Sequence, residues 1–127
     1  MKKTVFAIFF FAALSCFSQA RLGSSRSEIY KEFSEYNPQF ESNDGGQPYM
    51  HFQLGRAIVM HYFDEDNICA LTAISPNSQG DLNYFVEVYN KQYVIISPKQ
   101  WKMYSENGTI ATIELITNNG TTFFIWK

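Results

Sequence analysis

The sequence predicts an α+β fold in which two tandem helix-strand-strand-strand repeats form one antiparallel sheet with both helices packed on one face. Three observations carry this. Asn119-Gly120 stands between two apolar runs and supplies the two positive-φ positions of a type I′ hairpin loop. That loop sets a register in which Ile116 faces Phe123, Leu115 faces Phe124, Glu114 faces Ile125 and Ile113 faces Trp126. An ungapped shift of 53 residues superposes Ser25 on Ser78, Glu28 on Asp81, Tyr36 on Tyr89, Asn37 on Asn90, Met50 on Met103 and Gly55 on Gly108. These coincidences fall on helix starts, helix ends and turns, where a structural repeat leaves its mark. Finally, Ser25-x-x-Glu28 and Ser78-x-x-Asp81 both read as helix-opening caps, a hydroxyl for the first orphan amides and an acid at the positive helix end.

Lys2 and Lys3 precede an uncharged, mostly apolar run from Thr4 to Phe17, and Ser18-Gln19-Ala20 places small residues where a signal peptidase reads. Residues 1–20 are therefore expected to be a cleaved signal peptide. Residues 21–127 are expected to be a single domain, periplasmic or secreted, with no transmembrane segment. A rival reading lipidates Cys16, as in bacterial lipoproteins; it is the weaker one, because Ala13 stands where their pattern places Leu. Loss of residues 1–20 removes two lysines and leaves 8 Lys and Arg against 12 Asp and Glu, a net charge of 8 − 12 = −4. Such a surface excludes nucleic acid as a partner. Cys69 is the only cysteine beyond residue 20, so no intrachain disulfide is expected.

The first repeat spans about 24–75 and the second about 77–127. Ile29, Phe33 and Tyr36 fall at helical spacing, as do Leu82, Phe85 or Val86, and Tyr89, which gives each helix one apolar stripe. Asn37 and Asn90 are expected to end the helices in left-handed caps, and Pro38 forbids continuation of the first. Residues 38–47, polar and carrying Asn43, Asp44, Gly45 and Gly46, read as a mobile loop. In the second repeat, Tyr93-Val94-Ile95-Ile96 reads as a short extra or edge strand that stops at Pro98. Placing Gly55 and Gly108 at the left-handed position of three-residue hairpin loops pairs Met50 with Ile58, Phe52 with Arg56, Met103 with Ala111 and Trp101 with Ile113. One face of the sheet then carries Met50, Trp101, Met103, Ala111, Ile113, Leu115, Phe124 and Trp126, joined by Ile58, Met60, Tyr62, Cys69, Leu71 and Ala73. This face is expected to be core.

Two such units in tandem resemble the fold of the secreted β-lactamase inhibitor proteins, and Gly23-Ser24-Ser25-Arg26-Ser27-Glu28-Ile29 is similar to the helix entry of the small outer-membrane-assembly lipoproteins, which share a single-unit version. The resemblance covers residues 23–127 and rests on architecture. It implies a sheet of six to eight antiparallel strands, helices on one face and the other face free to clamp a partner protein. The disulfides of the inhibitors are absent here, and no binding residue is transferred by motif.

No catalytic signature is present: no serine lies in a nucleophile elbow, and no pair of carboxylates is placed on a shared pocket. No cofactor is expected. His51 and His61 fall on one face in the expected register but about four residues apart, about 13 Å at roughly 3.3 Å per residue, too far to share a metal ion. Asp64-Glu65-Asp66-Asn67 lacks the glycine and distal glutamate of a calcium loop and reads as a solvated turn. Cys69, on the core face, is expected to be an inert buried thiol. The sequons at Asn107 and Asn119 coincide with hairpin loops, and turn chemistry accounts for them.

The second face of the sheet is the informative surface. It is expected to carry Tyr49, His51, Val59, His61, Phe63, Tyr104, Glu114, Ile116, Phe123 and Ile125, far more aromatic and β-branched than a solvated face should be. The expectation is a non-enzymatic protein-binding module, inhibitor-like or an envelope accessory protein, whose aromatic anchors on that face are Tyr49, Phe63, Tyr104 and Phe123, with Ile116 beside them. A second subunit, making a homodimer, is the alternative cover for the same face. The alternative function is a small-ligand carrier or small hydrolase with a pocket between helices and sheet, lined by Met60, Tyr62 and Trp126.

Overall fold

The computed structural model describes residues 20–106 and 108–127. The expected signal peptide and the lipid site at Cys16 lie outside the described residues, apart from Ala20, and so does Asn107 of the first sequon. No helix among the described residues is long and apolar enough to cross a membrane.

Helix α1 spans Arg26–Glu32 and opens on a full capping box. Ser25 Oγ accepts from the Glu28 amide at 3.1 Å, and Glu28 Oε1 accepts from the Ser25 amide at 2.8 Å. A 3-10 turn, Ser34–Tyr36, carries the apolar stripe to Asn37, which takes the expected left-handed conformation at φ 54. Strand β1, Gln39–Ser42, then occupies sequence expected to be loop. Its residues ladder onto the next strand, and Phe40 is held at 5.5 Å from the Tyr30 ring and 4.3 Å beneath the Arg26 guanidinium. Only residues 43–47 remain as a turn, closed by the Asn43 amide on the Gln47 carbonyl.

Strands β2 (Pro48–Leu54), β3 (Ala57–Phe63) and β4 (Cys69–Pro76) follow. Helix α2, Gln79–Gln92, is opened by Ser78 Oγ accepting from the Asp81 amide at 3.1 Å. It runs two residues past Asn90, which does not cap it; the Asn90 side chain instead accepts from Trp101 Nε1 at 2.8 Å. Strands β5 (Val94–Ser97), β6 (Gln100–Tyr104), β7 (Ile110–Asn118) and β8 (Thr121–Trp126) complete one eight-stranded antiparallel sheet of order β1-β2-β3-β4-β8-β7-β6-β5. Each helix is thus followed by four strands rather than three. Among the described residues the two sets of four meet only between β4 and β8, along Thr72–Trp126, Ala73–Ile125 and Ile74–Phe124.

The registers expected for β6, β7 and β8 are those observed, and Asn119 (φ 53) and Gly120 (φ 80) form the turn between β7 and β8. The β2–β3 hairpin differs. Its loop is the two residues Gly55-Arg56, with Gly55 at φ 60 in the first central position that a type II′ turn reserves for glycine. Met50 therefore opposes His61, and Phe52 opposes Val59. The pairing is displaced by three residues from the expected one, and an odd displacement exchanges the faces of a strand. Val59, His61 and Phe63 are consequently core, while Ile58, Met60, Tyr62 and Leu71 lie on the opposite face. Cys69 keeps its place in the core for a separate reason. Thr72 and Ile74 are inward because they oppose His61 and Val59; Tyr62 opposes Leu71 but Phe63 opposes Cys69, so Ala70 is an extra residue, and this bulge puts Cys69 on the same inward face.

Two buried clusters result. Ile29 and Phe33 of α1 join Met50, Phe52, Val59, Phe63 and Cys69. Phe85 and Tyr89 of α2 join Ala57, Ile74, Trp101, Ala111, Ile113, Phe124 and Trp126. Leu22 packs against both.

Candidate binding face

Cross-strand pairing traces one continuous row over the face of the sheet opposite these clusters: Gln39, His51, Met60, Ala73, Ile125, Glu114 and Gln100. Antiparallel partners on one face lie close enough for side chains to touch, so the row is a connected surface. Glu41, Tyr49, Tyr62 and Leu71 line up beside it on one flank, and Ile116 opposes Phe123 on the other. Ala73 sits at the middle. Its small side chain between Met60 and Ile125 leaves an open hollow of about 420 Å³, walled by Met60, Tyr62, Leu71, Phe123 and Ile125 and rimmed by Asn43, Gln47, Ser75 and Thr121.

The walls are held by aromatic contacts and by the β1 turn. Tyr49 stacks on Tyr62 with ring centroids 4.9 Å apart and tilts against His51 at 5.7 Å. His51 Nε2 in turn bonds Glu41 of the edge strand. Burial, and to a lesser degree the neighbouring Tyr49, pushes the Tyr62 phenol up, so it stays a neutral hydrogen-bonding group. The site offers apolar wall, phenol and amide, and no strong nucleophile or paired acid.

Of the residues expected to form the binding surface, Tyr49, His51, Glu114, Ile116, Phe123 and Ile125 are half-buried on this face. Tyr104 lies opposite Ile110 on β6, 56% exposed and apart from the hollow. Val59, His61 and Phe63 are corrected: all three are fully buried in the opposite layer. The residues that sequence reasoning missed are Met60, Tyr62, Leu71 and Ala73, which it assigned to the core. One signal could have found them. Gly55-Arg56 also fits a two-residue loop with glycine first, and that loop restores the observed faces. The pocket expected between helices and sheet does not assemble from its named residues, because Met60 and Tyr62 face the hollow while Trp126 is buried against Tyr89 at 5.7 Å.

A polar cluster lies inside the first core. His61 Nδ1 is 3.0 Å from Thr72 Oγ1 and 3.7 Å from Cys69 Sγ, and its Nε2 has no hydrogen-bond partner among the described residues. Burial, aided by the charge of Arg21, pushes the imidazole down to about 3, and burial pushes the Cys69 thiol up. Both groups are therefore neutral at physiological pH. A thiol held protonated beside an imidazole that resists a proton is a poor nucleophile and base. His51 and His61 lie on opposite faces rather than on one, and among the described residues no three His, Cys, Asp or Glu side chains come together to hold a metal. Asp64 Oδ1 accepts from the Asp66 and Ile68 amides at 2.8 and 3.0 Å, so that acidic stretch serves its own turn.

No protein-family model, no curated protein and no solved structure matches the chain.

Proposed function

We propose that this chain is a non-enzymatic protein-binding module that grips a partner protein through the sheet face centred on Ala73. The observation that carries the reading is the hollow itself: half-buried aromatic and aliphatic side chains around about 420 Å³ of open space, on a face that would be polar if it met only water. Tyr62 and Phe123, facing each other across the hollow's lining, are the anchors, with Tyr49 supporting Tyr62. The domain is read as two tandem copies of one unit whose helices cover the other face of the sheet. The mirrored strand order and the equivalent capped helices support that reading. The amino-terminal pattern supports export to the periplasm or beyond, where an inhibitor-like or accessory role would be exercised.

The test is capture of partners from envelope extract by the protein and by a Tyr62→Ser/Phe123→Ser double variant. The double variant should lose the partner while its urea midpoint stays close to that of the parent. Retained capture by the double variant would sink the proposal. A second reading rests on the size of the hollow, which falls within the range of small-ligand sites. Native mass spectrometry would then show an apolar molecule displaced by the same two substitutions.

A further inference from the structure

The two outer edges of the sheet are unlike. At β1, the one large apolar side chain, Phe40, is held by Arg26 and Tyr30, and the charges in the neighbouring sequence, Glu35, Glu41 and Asp44, are acidic apart from that arginine. At β5, three β-branched residues follow one another with little cover: Val94, Ile95 and Ile96 are 49%, 55% and 48% exposed. Among the described residues strand β5 pairs with β6 alone, so its outer backbone donors and acceptors face no other described strand. An extended chain is the ligand that fits such a row of alternating amides and carbonyls.

The charges around β5 say which extended chain fits. Residues 88–102 contain Lys91, Lys99 and Lys102 and no acid, in a chain of formal net charge −2. Lys91 lies in the last turn of α2, Lys99 follows β5, and Lys102 opposes Val94. Glu87, 3.6 Å from Lys91 within one helix, offsets part of that charge, and Lys99 and Lys102 carry the rest of the local excess.

We infer that the β5 edge takes an extended segment of another protein, apolar at its centre and acidic at both ends, as an added strand beside Val94–Ser97. A second copy of β5 fits poorly. Antiparallel pairing of the strand with itself, Ile95 against Ile96, gathers the flanking Lys91 of one copy and Lys99 of the other at each end of the ladder, and like charges gathered there repel. The lysines thus work in two ways, rejecting the wrong strand and favouring the acidic one. This edge is distinct from the face around Ala73, so the inference stands or falls separately from the proposed function.

The experiment is amide hydrogen exchange by NMR on the purified protein, with a synthetic peptide of alternating valine and threonine between paired glutamates. A control peptide carries lysines in place of the glutamates. Exchange at residues 94–97 should slow by roughly tenfold with the acidic peptide, should not slow with the lysine peptide, and should recover as salt is raised. A Lys91→Glu/Lys99→Glu variant, which leaves every strand residue in place, should reverse the preference between the two peptides. Equal protection by both peptides, or protection confined to β1 or to the Ala73 face, would overturn the inference. So would protection of β5 in peptide-free protein that rises with protein concentration, because the occupant would then be a second copy.

Discussion

The two halves of the sheet are stabilised by different chemistry. Around α2 the core is a nest of rings. Tyr89 lies 4.9 Å from Phe124, 5.6 Å from Trp101 and Tyr93, and 5.7 Å from Trp126, whose Nε1 donates to the Tyr89 hydroxyl at 3.4 Å. Around α1 the core is thinner in rings and admits His61, Thr72 and Cys69. Aromatic pairs bring large burial and specific edge-to-face geometry, whereas a buried polar cluster holds only while every member keeps the protonation state that burial demands. The α2 half should therefore be the more robust and less sensitive to acid. The α1 half, whose hairpin turns Met60 and Tyr62 toward the hollow, carries the titratable weakness.

The largest expected effect is in the ring nest. Trp101→Ala removes a fully buried side chain and the hydrogen bond that its indole donates to the Asn90 side-chain oxygen. Urea denaturation should show a loss of about 3–5 kcal/mol; a loss under about 1 kcal/mol would mean that the nest is not the core of that half. Next comes a pair that separates the faces. Phe63→Ser should cost a similar amount, because Phe63 is 1% exposed. Phe123→Ser, at the hollow, should stay within about 1 kcal/mol of the parent. Equal costs would return Phe63 to the surface.

The third contrast is with pH. The folded imidazole of His61 sits at about 3 against an ordinary value of 6.5. A lowered value means that the proton binds the unfolded chain first, so the full stability is present above pH 6.5 and is lost as pH falls from 6.5 toward 3. Between pH 6.5 and about 5, before most carboxylates titrate, stability should fall by about 1.4 kcal/mol per pH unit. Exchange protection in α1 should fall with it, and His61→Phe should flatten the slope. A slope that survives the substitution would assign the acid sensitivity to other groups. The smallest effect concerns the helix starts. Ser25→Ala and Ser78→Ala should each cost about 1 kcal/mol in thermal unfolding. Ser25 should cost the more of the two, since only its cap is a reciprocal box.

Much of the α2 half was legible because its signals are local. Asn119-Gly120 permits one hairpin geometry, and the alternation on either side of it assigned Ile113, Phe124 and Trp126 to the core and Ile116, Phe123 and Ile125 to the other face, where they are found. In the α1 half the same kind of inference failed at Gly55. A positive-φ glycine serves a two-residue or a three-residue loop equally well, and the choice decides which face every following side chain takes. The bulge at Ala70 left no mark in the sequence, for alanine is neither a breaker nor a turn former. The strand at Gln39–Ser42 was hidden as well, because Asn37-Pro38 on one side and the Asn43–Gly46 run on the other resemble a continuous loop.

By itself the sequence determined the class of the fold, the capped helix starts, the turn at Asn119 and the apolar stripes, since each depends on residues a few positions apart and on backbone preferences that act anywhere. Tertiary structure alone decided which face of β3 is buried, where β4 meets β8, and that Ala73 lies at the centre of a hollow. Those outcomes turn on whether Phe63, His61 and Val59 or Tyr62, Met60 and Ile58 bury more favourably against Ile29 and Phe33. Both sets alternate equally well along the strand, so no local rule separates them, and the competition is settled only when the helix is present to be packed against.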